Sequence, residues 1–126
     1  MKKIITTLKA PAPIGSYNQA IMINDTLYLS GQIGLDPHSM KVVNGGVKEE
    51  TKQVMKNLKA VLEAADMTFN NVIKSSIFLI NMSDFGKVNE IYGSYFSDET
   101  APARETIAVK TLPKNVRVEI SMLAIR

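Results

Sequence analysis

The chain is 126 residues long, 45% hydrophobic and 21% charged, with a formal net charge of +3. That is the length of one domain, residues 1–126, and the composition of an ordinary globule; a disordered tail, a collagen-like fibre and a long coiled coil are excluded. Twelve Lys and three Arg face 12 acids, and no run of Lys or Arg exceeds two, so the charge gives only a weak nucleic-acid signal.

The chain has no Cys, which removes disulfides, thiolate metal sites and cysteine nucleophiles and fits a reducing compartment. The strongest apolar stretch, Ile77-Phe78-Leu79-Ile80, is far short of the roughly 20 residues that cross a bilayer. Polar Thr6, Thr7 and Lys9 break up the apolar start after Lys2-Lys3, so no signal peptide is expected. The expectation is a soluble cytoplasmic protein without a membrane partner.

In chain order, residues 3–7 read as a short strand. Ala10-Pro11-Ala12-Pro13-Ile14-Gly15 follows as a stiff extended strap, because each Pro fixes its own φ and pushes its predecessor out of the α region. Residues 18–23 and 26–31 are strands flanking the turn Asn24-Asp25. A loop with turn residues at Asp36-Pro37 and Gly45-Gly46 leads to a helix over 47–65. There Val47, Val54, Met55, Leu58, Val61, Leu62 and Ala65 form one stripe, with Glu49 and Glu50 in the first turn, where the dipole favours them. Residues 72–80 read as a strand, and Ser83 as the N-cap of a second helix through Phe96. After the break at Ala101-Pro102, a strand over 105–110, a turn at 112–115 and a strand over 116–125 complete the chain.

The order βββ-α-β-α-ββ predicts an α+β layer of two helices on one face of a sheet. Strand 72–80 is apolar on both faces, with Ile73, Ile77 and Leu79 on one and Val72, Phe78 and Ile80 on the other. Two helices cover only one face, so the other is expected to meet further copies of the chain.

The common fingerprints are absent: no dinucleotide or Walker loop, no zincin motif and no nucleophile elbow. The one histidine, His38, sits in a polar loop and reads as solvated. Neither a Ser-His-Asp triad nor a metal centre is expected, so chemistry falls to Arg, Glu, Tyr, Asn, Ser and backbone amides. Arg104 stands after the Pro-Ala break, where its planar fork could grip a carboxylate in a way Lys cannot. From sequence alone the plainer account, a surface Arg pairing with Glu105 or another acid, outweighs this.

Glu119 alternates with Val118 and Ile120 and so shares a face with Arg117 and Ser121. That face is either solvated, with cross-strand ion pairs, or a subunit seam where the carboxylate holds a water. Asn89 lies about 40° around the helix from Phe85 and borders its apolar stripe, where a polar group needs a partner. Ser30-Gly31 ends a strand as a plain turn or as a point of close ligand approach. Tyr17 is a packed aromatic or a cleft residue.

Five segments, in this order, carry a resemblance: Ala12-Pro13-Ile14-Gly15-Ser16-Tyr17, Leu29-Ser30-Gly31-Gln32-Ile33, Asp84-Phe85-Gly86-Lys87-Val88-Asn89, Ala101-Pro102-Ala103-Arg104, and Leu112-Pro113-Lys114-Asn115-Val116 with Val118-Glu119-Ile120. Over nearly its whole length the chain resembles the reactive intermediate deaminase (RidA/YjgF) family. The resemblance implies a chorismate-mutase-like fold, a homotrimer around a central β-barrel, and active sites in clefts between subunits. It implies hydrolysis of 2-imino acids, formed from enamines such as 2-aminoacrylate, to 2-keto acids and ammonia. Such chemistry protects pyridoxal-phosphate enzymes.

Position by position, Arg104 matches the family's carboxylate-binding arginine and Glu119 its water-holding glutamate. Tyr17, Ser30 and Asn89 match cleft positions, and Gly31 a backbone contact. The chain departs at Thr106, where many members carry Cys, leaving its backbone N–H as a substrate contact; it departs also at Ala101 and Ser16. No metal or organic cofactor is implied. Three rivals are a non-catalytic 2-keto acid sensor using the same cleft, an RNA-binding translation inhibitor, and a pathway-specific deaminase or lyase. The dispersed lysines weigh against RNA.

Overall fold

The computed structural model describes residues 1–126. Strands β1 (Lys2–Ile5), β2 (Ala20–Ile23) and β3 (Thr26–Gln32) precede helix α1 (Val47–Ala64). Strand β4 (Val72–Leu79), helix α2 (Phe85–Gly93), β5 (Ala103–Ala108) and β6 (Val118–Ile125) follow. The strands form one sheet in the order β1-β2-β3-β6-β4-β5. Only β4 and β5 pair in parallel, because α2 is the crossover that brings the chain back in the same direction. The expected order holds; the strand over 105–110 shifts to 103–108, and the first and last strands are shorter than expected.

Helix α1 forms where its apolar period dictates. Val54, Met55, Leu58, Val61 and Leu62 are fully buried against the sheet, joined by Val88 and Tyr92 of α2. The second helix is shorter than expected. Asn81, not Ser83, supplies the cap: its Oδ1 accepts the Ser83 N–H at 3.0 Å and starts a 3-10 turn over Met82–Asp84. Helix α2 ends at Gly93, and Tyr95 and Phe96 lie beyond it, packed edge-on against Phe69 with ring centroids 5.2 and 5.5 Å away.

Two sequence expectations about sidedness change. A register shift between Val72 and Lys74 puts Val72 on the buried face with Ile77 and Leu79, and turns Ile73 out to solvent. Glu50, read as a dipole partner, is instead fully buried. Its carboxylate accepts the Arg117 N–H at 2.8 Å and pairs with the Arg117 guanidinium at 2.7 Å. Arg117 thus precedes β6 and is tied to α1 rather than sharing the strand face of Glu119. An Arg117→Ala change leaves a buried carboxylate with one donor, and should cost about 1–3 kcal/mol, read as a lower thermal midpoint.

The face away from the helices is uncovered, as the two apolar faces of β4 anticipate. Register places Ile4, Ile21, Tyr28 and Leu123 in one apolar row across β1, β2, β3 and β6, and Phe78 beside Ile107 in another. Ile4, Tyr28 and Ile107 are each about half exposed, at 51, 52 and 46%. Between the rows, Ser76 donates to Glu105 at 2.5 Å and Lys74 pairs with Glu105 at 2.9 Å.

Candidate active site

Six of the seven predicted site residues gather in two clefts, and Thr106 lies in neither. The first holds about 660 Å³ and is lined by Tyr17, Ser30, Gly31 and Glu119, with the strap residues Pro11, Ala12 and Ile14 and with Lys114. It exists because β3 carries a bulge: pairing with β6 slips between Leu29 and Gln32, at Ser30-Gly31. Ser30 is fixed there by its Oγ, which donates to the Asn18 carbonyl at 2.5 Å, and by its N–H, which donates to the Gln19 carbonyl at 3.0 Å. The Tyr17 hydroxyl accepts the Ile14 N–H at 3.1 Å.

Glu119 alternates with buried Val118 and Ile120 and therefore emerges on the uncovered face. Its carboxylate lies over Gly31 so closely that a methyl group there would collide with Oε2. No hydrogen bond or ion pair holds that carboxylate, and burial pushes its pKa above the usual glutamate value. A Gly31→Ala variant keeps an ordinary backbone conformation but displaces the carboxylate. Turnover should fall by about 10²-fold with the fold retained, because a misplacement near 1 Å costs that much.

The second cleft, about 430 Å³, is lined by Asn89, Tyr92, Phe96, Ala101 and Arg104. On β5, Glu105 reaches the uncovered face, so its neighbour Arg104 points to the helix side. There Arg104 Nη1 donates to Asn89 Oδ1 at 2.7 Å, and its guanidinium carbon stands 5.2 Å from the Tyr92 ring centre and 5.5 Å from that of Phe85. Tyr92 is itself tethered, its hydroxyl 2.9 Å from Ser75 Oγ, and burial raises its pKa against the opposing pull of that bond and of Arg104. Arg104 has no carboxylate within 4.0 Å, and Glu105 is engaged with Ser76 and Lys74 on the other face. The plainer expectation of an Arg104–Glu105 pair is therefore not met. Most of the Arg104 fork remains free to bind an anion.

Asn89 finds the partner its position required. Thr106 follows Arg104 on the same side of β5 and lines neither cleft; its Oγ1 is the one buried side-chain polar atom without a hydrogen bond. His38 is exposed in its loop, as expected. Sequence reasoning missed Gln19 and Lys114 in the first cleft and the role of Tyr92 and Phe85 as supports for Arg104. The last two were read only as an apolar stripe, and nothing in that stripe marks a cation above it.

One chain thus carries a guanidinium without a carboxylate partner on the helix side of the sheet and an unpartnered carboxyl group on the opposite side. This is a six-stranded α+β protein with a cation and an acid displayed on opposite faces of one sheet. A family model described as Endoribonuclease L-PSP matches residues 7–126. The 2-iminobutanoate/2-iminopropanoate deaminase of Mus musculus is 51% identical over 126 residues, 100% of this chain and 93% of that protein. Among solved structures, the protein YyfA of the conserved Rid family from Yersinia pestis is 41% identical with a TM-score of 0.96, over 100% of both chains. The structure of Escherichia coli TdcF with bound serine is 33% identical with a TM-score of 0.92, over 98% of this chain and 99% of that one. The chain belongs to the Endoribonuclease L-PSP family, also called RidA/YjgF.

Proposed function

We propose that this protein hydrolyses small 2-imino acids to 2-keto acids and ammonia, in sites formed between copies of the chain arranged as a trimer. The observation that carries this reading is the pair of half-sites. An unpaired guanidinium, held by Asn89, Tyr92 and Phe85, lies on one face of the sheet, and a half-buried, unpartnered Glu119 on the other. Neither half completes a site alone, and the apolar rows of the uncovered face give a second copy something to cover.

Arg104 of one protomer grips the substrate carboxylate with its free N–H groups. Glu119 of the neighbour holds a water beside C2, and orientation does most of the work, because an iminium carbon is already electrophilic. The water oxygen bonds to C2 while Glu119 takes one of its protons and hands it to the nitrogen. The C–N bond then breaks as Glu119 takes the remaining hydroxyl proton, leaving the keto acid and ammonia, which accepts that proton and departs as ammonium. The raised pKa of Glu119 suits both halves of that shuttle. The mouse relative, a deaminase by name, supports the same substrate class.

The family description names an endoribonuclease, but the one histidine stands outside both clefts. The test is direct. With 2-iminobutanoate generated in situ by an L-amino-acid oxidase, the purified protein should accelerate formation of 2-oxobutanoate and deplete the free imine. Binding of 2-oxobutanoate without any acceleration would reduce it to a carboxylate sensor.

A further inference from the structure

We infer that Gln19 is the positioning residue that sets the width of the Glu119 cleft and thereby its preference for short side chains. The inference rests on the deaminase reading above for its substrate, and on geometry for its mechanism. Gln19 is 3% exposed. Its Oε1 accepts the Thr7 N–H at 2.7 Å, and its Nε2 lies 3.0, 3.2 and 2.8 Å from the carbonyls of Thr7, Ala10 and Pro11. Its own carbonyl accepts the N–H of Ser30. One residue therefore ties the proline strap to the bulge that opens the cleft.

The strap has few other means of staying in place. Pro11 and Pro13 lack N–H groups, so it cannot join the sheet as a strand. Ala10 and Pro11 are buried, but Leu8 and Ile14 project at 94 and 58% exposure. The Gln19 amide supplies the bonds a neighbouring strand would otherwise make. Pro11, Ala12 and Ile14 of this strap line the cleft together with Tyr17, Gly31 and Glu119. Releasing it widens the cleft, so a short substrate loses contacts while a longer one takes up the slack.

Two variants of the full chain test this: Gln19→Leu removes the amide at similar volume, and Gln19→Glu keeps the acceptor but loses the Nε2 donors. With imines of 2-aminobutyrate and of leucine generated by an L-amino-acid oxidase, KM for the shorter imine should rise about tenfold and for the longer one less than about threefold, with kcat within about twofold. The acid limb of the pH profile, set by Glu119, should not move. A fall in kcat at constant KM, or an equal rise in both KM values, would overturn the inference, since loss of folded protein lowers only the apparent kcat. Should neither variant fold, amide exchange in the unaltered protein decides. The Thr7 N–H, whose acceptor is Gln19 Oε1, should exchange far more slowly than that of neighbouring Leu8, and equal rates would overturn the inference. A wild-type chain inactive on imines would remove the deaminase reading while the Thr7 exchange still reports on Gln19.

Discussion

Replacement of Arg104 by alanine is expected to lower kcat/KM for 2-iminobutanoate by about 10²–10⁴-fold, because two hydrogen bonds from a charged fork to a carboxylate are lost together. The fold should be indifferent. Arg104 is exposed, has no ion pair, and gives up one bond to Asn89 and two ring contacts, so the thermal midpoint should barely change. Arg104→Lys restores the charge but neither the planar fork nor the stacking over Tyr92 and Phe85, and should recover little. Steady-state kinetics beside a melting curve check all three statements. Full activity in either variant would refute the carboxylate-gripping role.

The second large effect is expected at Glu119. Glu119→Gln removes the proton carrier while keeping the shape, and turnover should fall by about 10²–10⁴-fold with 2-oxobutanoate binding preserved. In the unaltered protein kcat/KM should fall as pH drops through the Glu119 pKa, and the limb should lie above the usual glutamate value because burial disfavours the charged form. The stability effect runs the other way. A carboxyl whose folded pKa is raised stabilises the fold fully only below its unfolded value, and that contribution is lost as pH rises through the folded one. Above that raised pKa the ionised Glu119 therefore burdens the fold, so at such pH Glu119→Gln should melt higher than wild type. The gap should close in acid. A variant that is less active and less stable above that pKa would point to structural damage instead.

Much of the scaffold was legible because its signals are local and periodic. The stripe from Val47 to Ala65 fixes α1, and the two apolar faces of β4 announce an uncovered sheet face. What escaped depends on partners distant in the chain. The shift that turns Ile73 outward arises from the register between β4 and β6, which alternation within one strand cannot reveal. Glu50 looked like an ordinary first-turn acid because its partner, Arg117, lies 67 residues away. Asn81 and Ser83 both cap helices well, and only the 3-10 turn that follows Asn81 and takes in Ser83 selects Asn81.

The site divides along the same line. Arg104 and Glu119 stood out through residue chemistry and family resemblance, and alternation alone put Glu119 on the outer face of β6. The face taken by Arg104 follows from the parallel pairing of β5 with β4, which also sends Glu105 to Ser76 and Lys74. Tyr92 and Gln19 were invisible as site residues because a buried ring and a buried amide look alike in sequence whether or not they support a cleft.

Opposite faces of one sheet cannot serve one small substrate, so the account turns on two chains sharing each site. Co-refolding inactive Arg104→Ala chains with inactive Glu119→Gln chains is the most direct measurement. If each site takes Arg104 from one protomer and Glu119 from its neighbour in a closed ring, random assembly restores both groups in roughly a quarter of the sites. Activity should return to about that fraction of wild type in the mixture, while each variant refolded alone stays inactive. A mixture as inactive as its components would contradict the shared site and with it the proposed mechanism.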